Sequence, residues 1–155
     1  MRLLPFILIA ELLCAVTLSP AAELRTPGKN DRCPVCGMFV APYHDWIATI
    51  LFEDGSQLFF DGAKDLFRYY YSLPNKNDSR TREQIREIYL TDYYSTRLLP
   101  IDQLFLVIGS DVYGPMGHEL IPVAGEEAAK SFAKDHKGTK IIRFEQLTPQ
   151  LLPSE

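Results

Sequence analysis

Cysteine is scarce in this chain. Only Cys14, Cys33 and Cys36 occur in 155 residues. Three thiols fall short of a four-thiolate structural zinc site. A strong charge of one sign is lacking too. The formal net charge of -4 gives no basic field, and no Lys/Arg patch is interleaved with aromatics, so nucleic-acid binding is disfavoured. Long apolar runs are missing: Leu3 to Leu18 is interrupted by Pro5 and Glu11 and falls short of a persuasive membrane-spanning helix. There is no Gly-x-Ser-x-Gly, no phosphate loop ending in Lys-Ser/Thr and no Gly-x-Gly-x-x-Gly, which removes the common hydrolase and nucleotide-binding readings.

What is present reads as an exported globular protein. Met1-Arg2, the apolar stretch and Ser19-Pro20-Ala21-Ala22 match the three regions of a cleavable signal, so residues 1–22 are expected to be removed. Cys14 then leaves with the signal. Lipidation at Cys14 is the alternative, and it would anchor the protein to a membrane. Leu13 precedes it where bacterial lipoprotein signals want a small residue. Residues 23–32 are a polar lead-in with Pro27 and Gly28, and residues 149–155 form a loose tail. Ordinary apolar and charged fractions fit one domain, or two small units packed together.

Between these ends the pattern is mixed. Trp46 to Phe52 and Gln57 to Phe60 flank Glu53-Asp54-Gly55-Ser56, which predicts a hairpin. Asp61 is placed to cap a helix from about Gly62 to Leu73, with Leu66, Phe67 and Tyr70 on one face and Asp65 spaced to meet Tyr69. Strands are expected at 87–94, 104–108, 119–123 and 140–144. A second helix is expected over 125–136, with Ala128, Ala129 and Phe132 inward and Gly138 ending it. Residues 109–118 read as a Gly/Pro-rich loop. A thioether-bearing loop, a strand and a helix opened by a small-residue turn thus occur twice, at about 33–74 and 87–146. The chain reads as α+β, an internal pseudo-repeat of two small units. Asp54, Asp61, Asp65, Asp92 and Asp111 each read as caps or turn formers, and the tyrosine runs 69–71 and 93–94 as packing.

The chemistry concentrates in Cys33-Pro34-Val35-Cys36-Gly37-Met38, and in Met116-Gly117-His118. Two thiols three positions apart can close a disulfide, hold a metal or run thiol exchange. A redox pair normally opens a helix, and Gly37 after the second thiol disfavours that. Zinc held by two thiolates and two imidazoles lacks paired histidines, since His44, His118 and His136 are scattered. Thiolate and thioether, with imidazole, suit Cu(I) better than Mg²⁺, Ca²⁺ or Mn²⁺. Cys33, Cys36, Met116 and His118 are therefore candidate Cu(I) ligands, with Met38 as a further one. A thiol-disulfide redox protein using Cys33 and Cys36 remains the alternative.

These stretches, with Phe60-Asp61-Gly62, with Tyr89-Leu-Thr-Asp92-Tyr93-Tyr94-Ser95 and with the long Gly109-Ser-Asp-Val-Tyr-Gly-Pro-Met-Gly-His-Glu-Leu-Ile-Pro122, resemble the NosL family across nearly all of the mature chain. The resemblance implies a periplasmic Cu(I) chaperone, not an enzyme. It would serve the copper-sulfide centre of nitrous oxide reductase, working with a membrane ABC-type maturation complex. It also implies two ββαβ-like units, related to the fold of organomercurial lyase. The implied ligand set is a motif cysteine with Met116 and His118, and it leaves open which of Cys33 and Cys36 takes part.

Overall fold

A buried strand needs apolar, β-branched side chains on both faces, and Ala48–Phe52 supplies them. In the computed structural model, which describes residues 24–154, this strand (β1) is buried along its whole length. The expected signal and Cys14 lie outside the described residues. After β1 the Asp54 carboxylate accepts from the Ser56 N–H at 2.8 Å, Gly55 takes the left-handed step at φ 82°, and β2 (Gln57–Phe60) returns. The hairpin stands as expected. Helix α1 (Ala63–Ser72), β3 (Ile85–Thr91) and β4 (Leu98–Pro100) follow. The antiparallel sheet runs β2-β1-β3-β4.

The second unit holds β5 (Leu104–Ile108), a small hairpin of β6 (Tyr113–Gly114) and β7 (Gly117–His118), β8 (Ile121–Ala124), α2 (Glu126–Asp135) and β9 (Lys140–Ile142). Its sheet runs β8-β5-β9. Leaving aside that hairpin, which replaces the expected plain loop, and the edge strand β4, both units run strand, strand, helix, strand, with the first strand between the other two. The class is α+β.

Boundaries differ where side chains intervene. β3 stops at Thr91 because the Asp92 carboxylate takes the Ser95 N–H and Oγ, at 2.9 and 2.6 Å, and builds a turn. The last strand ends at Ile142, before a 3-10 turn at Phe144–Gln146. Past α2 the left-handed residue is Lys137 (φ 58°), not Gly138. Gly138 donates to the Ala133 carbonyl at 2.7 Å instead, and a Cβ there would lie 2.5 Å from Val107 Cγ1.

Strand β5 joins two cores. Leu104 and Leu106 enter the cluster built from Ala48, Ile50, Phe60, Leu66 and Phe67 of the first unit. Val107 and the half-buried Phe105 face Ala129 and Phe132 of α2. Period-2 alternation on a strand covered on both faces produces this division. Tyr93 packs its ring 4.7 Å from Phe132 as expected, but Tyr94 beside it is exposed. Among the described residues no helix is long and apolar enough to cross a membrane.

Candidate metal centre

The cysteine stretch folds back on itself. Arg32 and Phe39 form an antiparallel bridge. Inside it the Cys33 N–H donates to the Met38 carbonyl at 2.8 Å, and the Gly37 N–H to the Cys33 carbonyl at 2.9 Å. Gly37 turns the chain at φ 78°, which favours glycine. Backbone amides of Cys36 and Val35 point at the Cys33 sulfur, and that of Met38 at the Cys36 sulfur. The stretch is a knuckle that presents two thiols.

The first turn of α1 faces it. The Cys36 thiol meets Asp61 Oδ1 and Oδ2 at 3.3 and 3.4 Å, and the Cys33 thiol meets Asp65 Oδ2 at 3.5 Å. Cys33, Asp61 and Asp65 are buried and Cys36 half-buried; one ligand atom from each of the four lies within 4.8 Å of the others. Both cysteines are free thiols.

This changes the reading of both aspartates. Asp61 does not cap α1: the N-cap is Gly62, with no side-chain capping bond. Asp65 does not meet Tyr69 either. It pairs with Arg68 at 3.5 Å, and the Tyr69 hydroxyl donates to Asp78. The only sequence signal for their role is an i, i+4 pair opening a helix, which ordinary capping also produces.

Burial pushes the Cys36 thiol up to about 11, and the Asp61 carboxylate adds to the shift. Burial drives Cys33 further in the same direction, with Asp61 again contributing. At neutral pH both sulfurs therefore keep their protons. A cation entering between them displaces those protons and gains two thiolates and two carboxylates at once. Such a set can hold a metal ion, with the sulfurs favouring a soft one.

The other predicted ligands stand on the β6–β7 hairpin. Met116 is at its tip, 44% exposed. His118 is exposed, with its ring 4.7 Å from that of Tyr113 on the partner strand. It lines a cavity of ≈ 200 Å³ with Ile108, Gly109, Glu119, Pro153 and Ser154. His118 is not part of the four-residue group. Met38, whose carbonyl closes the knuckle, is half-buried. His44 lies beside Asp45 and His136 stacks on Phe132, so neither joins the thiols.

The hairpin leans on α1 through two residues that sequence reasoning passed over. The buried Lys64 donates from Nζ to the Met116 carbonyl at 2.6 Å, and the buried Glu119 Oε1 accepts from the Lys64 N–H at 2.5 Å. Burial pushes the Glu119 carboxyl up to about 8.

The fold is similar to that of a solved structure, the copper chaperone NosL from Shewanella denitrificans. That match has a TM-score of 0.69 and 19% identity, and it covers 84% of this chain and 99% of that one. The apo-NosL protein from Achromobacter cycloclastes is a looser match, with a TM-score of 0.49, 22% identity, and 68% and 87% covered. No functionally curated protein matches the chain at a significant level. The sequence matches the NosL family model over residues 25–152. That span takes in the knuckle and both units, the hairpin of the second included, and so the chain belongs to the NosL family.

Proposed function

We propose that this protein is a periplasmic Cu(I) chaperone that supplies copper for the copper-sulfide centre of nitrous oxide reductase. Its docking partners are that enzyme and a membrane ABC-type maturation complex. One observation carries the reading: two free thiols face two buried carboxylates at the start of a helix that also holds, through Lys64 and Glu119, the hairpin bearing a thioether and an imidazole. Loading releases the thiol protons from Cys33 and Cys36 next to Asp61 and Asp65. Met116 and His118 bind more weakly and are more open to solvent. A partner's ligands replace them first, and the ion leaves the thiolates last. Val35, Phe39, Tyr113 and Met116 are exposed large apolar side chains on these two loops, and they give a partner apolar ground to dock on.

The redox alternative asks for a depressed thiol pKa. The raised thiols here argue against it. Anaerobic titration of the mature protein against a colorimetric Cu(I) chelator tests the proposal. Tight one-to-one binding is expected, weakened by Cys33→Ala, Cys36→Ala, Met116→Ala or His118→Ala. Affinity should fall steadily as pH is lowered through the neutral range, because copper must displace the firmly held protons of both thiols. No Cu(I) uptake together with rapid disulfide exchange would refute the chaperone and favour the enzyme.

A further inference from the structure

Lysine is rarely buried without a partner, yet Lys64 is 1% exposed. It sits on the first turn of α1, between Asp61 and Asp65, which face the thiols. Its side chain leaves the helix and reaches the tip of the β6–β7 hairpin, where Nζ donates to the Met116 carbonyl at 2.6 Å. Glu119 runs the other way. It follows His118, and its Oε1 accepts from the Lys64 N–H at 2.5 Å and from the Leu120 N–H at 2.8 Å.

The space around Glu119 is cut to fit. A Cβ on Gly62 would lie 2.1 Å from Oε2, and one on Gly114 would lie 3.2 Å from Glu119 Cγ. Gly62 belongs to the helix start and Gly114 to the hairpin, so both elements close on the same carboxylate. A local serine, threonine or aspartate cap would satisfy the helix end as well. Here the acceptor comes from 55 residues away, and it brings the hairpin with it. The two bonds grip the hairpin on either side of Gly117 and His118.

We propose that Lys64 and Glu119 are positioning residues that set the Met116–His118 hairpin on the helix turn carrying Asp61 and Asp65, so that both halves take up Cu(I) as one site. This rests on the copper-chaperone reading above.

Lys64→Met keeps the apolar stem and removes the donor. In the mature chain it is expected to weaken Cu(I) binding about tenfold in chelator competition, the scale of one lost charge-assisted bond. In a Met116→Ala/His118→Ala background the same change should cost less than about twofold, because the residues it positions are gone. Without copper, amides of residues 113–118 should exchange about tenfold faster in Lys64→Met while those of 66–72 stay unchanged.

Equal losses of Cu(I) affinity in the two backgrounds would overturn the proposal, and so would unchanged exchange at 113–118. If the unmodified protein takes up no Cu(I), the chaperone reading fails and the exchange measurement alone decides whether the clamp exists. Should Lys64→Met fail to fold, Lys64→Gln stays polar but falls short of the Met116 carbonyl and is judged by the same two criteria.

Discussion

Replacing Gly62 with alanine sets two opposed effects against each other. The backbone there is extended, with φ 179° and ψ 164°, a conformation any residue adopts. On that ground alanine should stabilise by about 0.4–1 kcal/mol, through a less flexible unfolded chain. The added Cβ, however, would lie 2.1 Å from Glu119 Oε2 and 3.0 Å from its Cδ, so the gap must open by about 1.3 Å to reach ordinary contact at 3.4 Å. The carboxylate cannot swing aside cheaply, because it is buried and its other oxygen is tied to the Lys64 and Leu120 amides. Overpacking of this kind costs ~1–3 kcal/mol, and a weakened buried hydrogen bond adds to it. The contact should win. We expect a net loss of roughly 2 kcal/mol, which for a domain of this size is a Tm drop of roughly 6–10 °C. Urea unfolding followed by the single tryptophan, Trp46, measures it. In a Glu119→Ala background the clash is gone, and Gly62→Ala should become neutral or slightly stabilising. A neutral Gly62→Ala in the unaltered protein, or the same cost in both backgrounds, would refute the reasoning.

Three further outcomes follow from the same geometry. With its pKa raised to about 11, Cys36 should react with iodoacetamide at pH 8 about tenfold more slowly than an ordinary free thiol, the scarcity of thiolate outweighing its greater nucleophilicity, and Asp61→Asn should speed it up; a rate equal to that of a free thiol would contradict the site as described. Glu119 holds its proton more tightly when folded, with a pKa of about 8 against an ordinary 4.5, so its contribution is complete below pH 4.5 and lost as pH rises through 8. Urea stability should fall by roughly 2–4 kcal/mol between pH 5 and 8.5 and flatten in Glu119→Gln; parallel profiles would sink this assignment. Asp92 accepts from Ala124 N–H at 2.7 Å while also holding the Ser95 turn, so Asp92→Ala should cost ~2–3 kcal/mol in the same assay, and a loss below ~0.5 kcal/mol would mean water replaces it.

The sequence showed regular structure wherever side-chain period and turn chemistry agreed. The Asp54-Gly55 turn between a β-branched run and an aromatic one marked the first hairpin, and the stripe of Ala129 and Phe132 marked α2. Strands of two residues carry no period, which is why β6 and β7 read as a loop. The thiol pair was visible because cysteine is rare in the chain. Its carboxylate partners were not, since an aspartate near a helix start has an ordinary explanation as a cap. Lys64 and Glu119 left no local trace at all. A lysine and a glutamate 55 positions apart read as two solvated charges until the fold buries both.

The division of β5 between two cores bears on how cargo could change hands. Leu104 and Leu106 are packed among first-unit residues while Val107 is covered by α2, so the second sheet is the filling between the first unit and its own helix. Swinging one unit away from the other would pull that filling out into water. Among the described residues this shared packing resists a rigid-body opening of one unit from the other. Under the proposed copper-delivery role, transfer would proceed at the rim, through the knuckle and the hairpin, over a frame held by the shared core.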